Sequence, residues 1–127
     1  MSLVFGYAAG RGPGSSSGMR VHDDGRVDLL EPGADWRQIA EMTADEVAVL
    51  AERTRAAGIL ELPAEVPRPE GMRGGSECEL RTELDGREVH SVIHGWSESN
   101  LSAQPSLELV LGLSALVSGA QARAQPS

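Results

Sequence analysis

The chain reads as an α+β domain, an antiparallel sheet of four or five strands with two helices packed on one face. Three observations predict this. Residues 43–63 carry a complete set of helix signals, two Asp-Gly pairs each sit between strand-like runs, and residues 105–118 repeat apolar positions at helical spacing.

The first helix is expected over residues 44–57. Thr43 and Glu46 have the spacing of a capping box, with Met42 and Val47 placed as a hydrophobic staple. Asp45 and Glu46 fall in the first turn and Arg53 and Arg55 in the last, as the helix dipole favours. Val47, Leu50, Ala51 and Thr54 form the buried face, Gly58 takes the left-handed position after the helix, and Pro63 ends the segment.

Leu3, Phe5 and Tyr7 alternate onto one side of a short first strand. Residues 8–18 are almost all Gly, Ser, Pro and Ala, and are expected to be a mobile exposed loop. A phosphate-binding reading of this loop fails. The chain has no Lys for a Walker-type site, and a strand follows the glycines where a dinucleotide fingerprint needs a helix.

Residues 19–30 form a hairpin whose register the apolar pattern selects. A two-residue Asp24-Gly25 turn would pair Val21 with Asp28 and bury an acid. A three-residue loop, Asp23-Asp24-Gly25, pairs Val21 with Val27 and Met19 with Leu29. The acids here lack the alternating spacing of a calcium loop. Residues 31–42 read as a polar connection, with Trp36 and Ile39 tucked against the first helix. Residues 63–75 read as a second long exposed loop, rich in Pro and Gly.

A second hairpin spans residues 76–94 around a two-residue Asp85-Gly86 turn, pairing Thr82 with Val89, Leu80 with Ser91 and Cys78 with Ile93. Its other face, with Glu77, Glu79, Arg81, Glu83, Glu88, His90 and His94, is expected to be wet. Pro105 opens the second helix, which should stop at Gly119. It carries two apolar stripes. Leu107, Val110, Leu111, Ser114 and Val117 make one; Leu109, Leu113 and Leu116 make the other. Either both are buried in the domain or the second meets a partner, which makes Leu109, Leu113 and Leu116 candidates for a dimer contact. The domain is therefore read as residues 1–119, with a disordered tail over residues 120–127.

The 127 residues suit one domain, and with aromatics at 3% its core must be aliphatic. A net charge of −8 argues against nucleic acid and against an anionic membrane surface. All eleven basic residues are Arg, which with abundant Ala and Gly suggests a GC-rich bacterial genome. A single Cys excludes an intramolecular disulfide, and no secretory leader or spanning run is visible, so a cytoplasmic protein is the default expectation.

No metal or cofactor site is expected. His90 and His94, four apart on a strand, are separated by about 13 Å, too far to share one zinc. Cys78 points to the core as a small hydrophobe, and no nucleophile elbow is present. No constellation with catalytic geometry emerges, so the chain is read as a non-enzyme.

The order of elements resembles a known family. A strand and glycine-rich loop lead into a hairpin around Asp-Gly. A Thr-x-x-Glu helix then ends in Ala57-Gly58-Ile59-Leu60-Glu61-Leu62-Pro63. A proline-rich loop, a second Asp-Gly hairpin and the helix start Pro105-Ser106-Leu107-Glu108-Leu109-Val110 complete it. This is similar to the emfourin-type small bacterial domains, over roughly residues 3–117. Where those domains often carry a Gly-Gly-aromatic-Ala-Gly loop after the first strand, this chain has Ala8-Ala9-Gly10-Arg11-Gly12-Pro13.

The resemblance implies a small binding domain related to inhibitors of thermolysin-like metallopeptidases, with a metallopeptidase as partner. Arg11, Gly12 and Pro13 in the first loop and Met72, Arg73 and Gly74 in the second are the candidate contacts, against the alternative that both loops are only flexible connections. The other functional reading is a homodimeric structural or regulatory interaction module.

Overall fold

The structure is a computed structural model and describes residues 2–10 and 15–124. In chain order the elements are β1 (Leu3–Gly10), β2 (Ser17–His22), β3 (Arg26–Leu30), β4 (Arg37–Glu41), α1 (Ala44–Ala56), a 3-10 turn over Ile59–Glu61, β5 (Glu65–Val66), β6 (Ser76–Leu84), β7 (Arg87–Trp96) and α2 (Gln104–Ala124). Among the described residues, seven strands make one mixed sheet in the order β4-β3-β2-β1-β6-β7-β5. Only β5 runs parallel to its neighbour, β7. The fold is therefore α+β, with two helices and a mostly antiparallel sheet.

The sheet has seven strands rather than the expected four or five, and two of them come from stretches read as connections. β4 pairs Ala40 with Val27 and Arg37 with Leu29 along the outer edge of β3. Its sequence, Arg-Gln-Ile-Ala-Glu, has too little apolar alternation to announce a strand; the open edge of β3 recruits it. β5 is two residues long and buries Val66 beside β7. The loop reading of residues 8–18 is also shortened, because Ala8 and Ala9 pair with both β2 and β6, and Gly10 pairs with β6. Trp36 does not tuck against a helix. Its ring lies under the Arg20 guanidinium, 4.4 Å from the ring centroid, while Ile39 does pack against the core.

Both hairpin registers are as the sequence predicts. Val21 pairs with Val27 and Met19 with Leu29 in one; Thr82 pairs with Val89, Leu80 with Ser91 and Cys78 with Ile93 in the other. The second turn has positive φ at Asp85 and Gly86, as a two-residue hairpin turn of this type requires. One expectation in β1 is reversed. A bulge between Leu3 and Phe5 turns Leu3 away from Phe5 and Tyr7, and its backbone N–H donates to Glu83 Oε1 at 3.0 Å.

One core holds Phe5, Val21, Val27, Leu80 and Ile93 from the sheet, Leu50 and Ala51 from α1, and Leu109, Leu113, Val117 and Ala120 from α2. It is aliphatic apart from Phe5, with Tyr7 and Trp96 at its margin. The capping box of α1 forms in full: Glu46 N donates to Thr43 Oγ1 at 3.2 Å and Thr43 N to Glu46 Oε1 at 2.8 Å.

α2 does not stop at Gly119. It continues to Ala124, burying Ala120, and Arg123 reaches Glu46 Oε1 at 2.7 Å and the carbonyl of Glu41 at 3.4 Å. The expected tail is thus helical over residues 120–124, and residues 125–127 lie outside the described residues. Glycine costs a helix only about 1 kcal/mol, which a buried residue and an ion pair beyond it can offset.

The Arg123 guanidinium, with the N–H of Thr43, holds the Glu46 carboxyl down to about 2 from an ordinary 4.5. A depressed carboxylate stabilises the fold above its unfolded value and loses that contribution as pH falls through its folded value. Glu46→Gln should therefore melt below the wild type at neutral pH, and the gap should narrow as pH drops from 4.5 towards 2. Thermal melts across that window check it; a gap independent of pH contradicts it.

Candidate functional site: the loop end of the sheet

The backbone register brings distant connections together. Gly10, the last residue of β1, pairs with Glu77 at the start of β6, and Ser76 pairs with Trp96 at the end of β7. Gly18 pairs with Leu30 at the end of β3. The β1–β2 connection and the connections over residues 31–36, 67–75 and 97–103 therefore all leave the sheet at one end.

Of the candidate contacts, Arg11, Gly12 and Pro13 lie outside the described residues. Met72 is half-buried, its backbone N–H closing a turn onto the carbonyl of Pro69 at 3.1 Å. Its sulfur and the Arg68 side chain cover Gly95, where a Cβ would meet them at 3.2 and 3.1 Å. Arg73 and Gly74 are exposed. The second loop is thus folded back on β7 at its Met72 end and open at Arg73 and Gly74.

The candidate dimer stripe is corrected. Leu109 is 4% exposed and Leu113 fully buried, both in the core, and Leu116 packs partly against it. The stripe that faces inward is Leu109, Leu113, Val117 and Ala120, at spacings of four, four and three. Leu111, from the other stripe, is 71% exposed. Two equally apolar stripes gave the sequence no means of ranking them.

The uncovered face of the sheet carries a groove of about 510 Å³ along the central strand β1. Gly6 and Ala8 form its floor, Arg20 and Trp36 one wall, and Glu79, Arg81 and Glu83 the other. Asp28 is fully buried below the first wall, with Arg26 Nε at 2.9 Å, Arg20 Nε at 3.1 Å and His22 Nε2 at 3.2 Å. Burial works against its charge, but the hydrogen bonds from Arg26, Arg20 and His22 outweigh it and hold the carboxyl below the usual range. The register that kept Asp28 out of the core therefore left it buried all the same, under arginines.

On the other half of this face His90 Nε2 lies 2.6 Å from Glu79 Oε1, and His94 lies between Glu77, at 3.3 Å, and Glu65, at 3.7 Å. Among the described residues no group of three His, Cys, Asp or Glu side chains is placed to hold a metal ion. Cys78 is buried, and burial pushes its thiol up to about 12, so it is not a thiolate at neutral pH.

A second groove, of about 590 Å³, opens on the helix side at the loop end. Tyr7, Ala9 and Trp96 supply its sheet side, and Leu107, Val110 and Leu111 of α2 its helix side. The Tyr7 and Trp96 rings are 6.1 Å apart. Trp96 Nε1 donates to Ser106 Oγ at 2.9 Å, so the indole is fixed by the first turn of α2. Burial raises the Tyr7 phenol, which stays protonated.

The residue that builds this end, and that sequence reasoning missed, is Asn100. Its buried amide donates to the carbonyls of Gly95, at 3.0 Å, and His94, at 3.3 Å, and accepts from Ser102 N at 3.0 Å. Residues 97–103 are thereby tied to the end of β7. A lone Asn in a polar stretch carries no sequence signal of that role. Asn100→Ala should destabilise the domain by about 2 kcal/mol, since it leaves buried carbonyls unpaired, and should raise hydrogen exchange over residues 97–106. Chemical denaturation and exchange spectra check this; unchanged stability contradicts it.

No protein-family model matches this chain, and no curated protein does. No helix among the described residues is long and apolar enough to cross a membrane.

Proposed function

We propose that this chain is a non-enzymatic binding domain whose protein partner docks on the loop end of the sheet, in the manner of inhibitors of thermolysin-like metallopeptidases. The observation that carries this reading is the register, Gly10 against Glu77 and Ser76 against Trp96, which delivers both Gly- and Pro-rich connections to one end of the sheet. Asn100 ties one of the other connections at this end to β7, so the loops leave a hydrogen-bonded base. Loops held on a rigid scaffold lose little freedom on docking, which favours affinity. In this reading Arg11, Gly12 and Pro13 enter the partner's cleft, and Arg73 and Gly74 contact its rim while Met72 anchors their loop on Gly95.

On the uncovered face His22 shares Asp28 with Arg20 and Arg26, and His90 shares Glu79 with Arg81, so these carboxylates are engaged within the domain. The test is a titration of the purified protein into a thermolysin-like metallopeptidase while hydrolysis of a small peptide substrate is followed. Inhibition with a defined stoichiometry, the chain remaining uncut, supports the reading. Absence of inhibition, or slow cleavage of the chain at the β1–β2 connection, overturns it.

A further inference from the structure

We infer that the groove on the helix side of the loop end receives an apolar side chain from a basic segment of a partner polypeptide. This deepens the binding-domain reading and rests on it. Four features favour that occupant.

First, most of the lining is apolar or aromatic, from Tyr7, Ala9, Trp96, Leu107, Val110 and Leu111, with Ser17 and Gln104 beside them. A volume of about 590 Å³ open to solvent suits one or two side chains of a ligand. Second, three large hydrophobics are exposed among the described residues, and two of them are at this end. Leu111, 71% exposed, forms a wall of the groove, and Leu101, 78% exposed, stands in the connection that leads to α2. Ser106 holds the Trp96 indole and Tyr7 packs against it, so the groove exists before anything enters it.

Third, the rim is acidic. Glu98 and Glu108 line the groove, both are exposed, and neither carboxylate is ion-paired among the described residues. With a net charge of −8 on the whole chain, the field at this rim attracts cations and repels anions. Fourth, a second copy of the chain is a poor occupant. A two-fold contact places the same patch on itself, which would set one acidic rim against another. Charge complementarity therefore selects a basic partner segment.

The test uses synthetic peptides and does not involve a peptidase. Acetyl-Arg-Phe-Leu-Arg-amide, acetyl-Gln-Phe-Leu-Gln-amide and acetyl-Glu-Phe-Leu-Glu-amide are titrated into the full chain, and backbone amide shifts are followed. The basic peptide should shift the amides of Ala9, Trp96, Leu107 and Leu111 and bind about tenfold tighter than the acidic one, as two exposed charge pairs allow. Leu111→Gln, at an exposed position, should keep the native spectrum and lose most of the binding. Glu98→Gln combined with Glu108→Gln should bring the three peptides to similar affinity.

Equal affinity of the wild type for all three peptides, or shifts confined to the uncovered sheet face, overturns the inference. So does a stable dimer in sedimentation whose interface is broken by Leu111→Gln. If the peptides fail while peptidase inhibition holds, the groove assignment falls and the loop-end reading stands. The reverse result separates them the other way.

Discussion

Leu113→Glu is expected to unfold the protein rather than to release a folded monomer. Leu113 is fully buried on α2 and belongs to the core shared with the sheet and α1. Losing a buried leucine side chain costs about 2–5 kcal/mol, and placing a carboxylate in the gap adds several more unless it is protonated. A small domain has about 5–15 kcal/mol in total, so the two losses together remove the fold. Leu111→Glu, two residues away and 71% exposed, should change stability by less than about 0.5 kcal/mol. Circular dichroism and thermal melts of the two variants decide it. A cooperatively folded Leu113→Glu protein would put that side chain on the surface, contrary to the packing described.

The second large effect is expected at Gly25. Its φ is +95°, and a Cβ there would overlap the carbonyl oxygen of Met42. Met42 N–H donates back to Gly25 O at 2.8 Å, so the tip of the β2–β3 turn is clamped to the residue before the cap of α1. Alanine must pay the left-handed penalty of about 1–2 kcal/mol and also push this clamp apart, losing about 1 kcal/mol more for the hydrogen bond. Gly25→Ala should cost about 3 kcal/mol. Gly86 has φ of +74° with open space around it, so Gly86→Ala should cost only the conformational part. Urea denaturation of the pair isolates the close approach; equal losses would show that the Met42 contact contributes nothing.

Gly25 also shows how much the sequence carried. The apolar pattern chose the three-residue turn, and the turn required glycine at that position, but nothing local says that Met42 closes over it. The same division runs through the fold. Thr43 and Glu46 announce α1 because capping is a local exchange of hydrogen bonds, and Asp85-Gly86 announces its hairpin because turn geometry is local. β4 and β5 were illegible because their pairing comes from open edges of β3 and β7, not from their own residues. α2 outran Gly119 because Arg123 finds Glu46, a partner 77 residues away.

The candidate site divides likewise. Its loops could be read from Gly and Pro content, whereas their meeting at one end depends on register. Trp96 and Leu107 meet across a groove because Asn100 and Ser106 fix the connection between them. A stretch of Ser, Glu and Asn gives no sign of that.

Deleting residues 11–16 and repeating the metallopeptidase titration beside a thermal melt shows whether a partner docks on the loop end. Joining Gly10 directly to Ser17 gives up the terminal Ala9–Ser17 pair and leaves a three-residue turn closed by Ala8 and Gly18, so the melting temperature should stay within a few degrees of the wild type while inhibition is lost. Unchanged inhibition by a folded deletion variant would contradict the account.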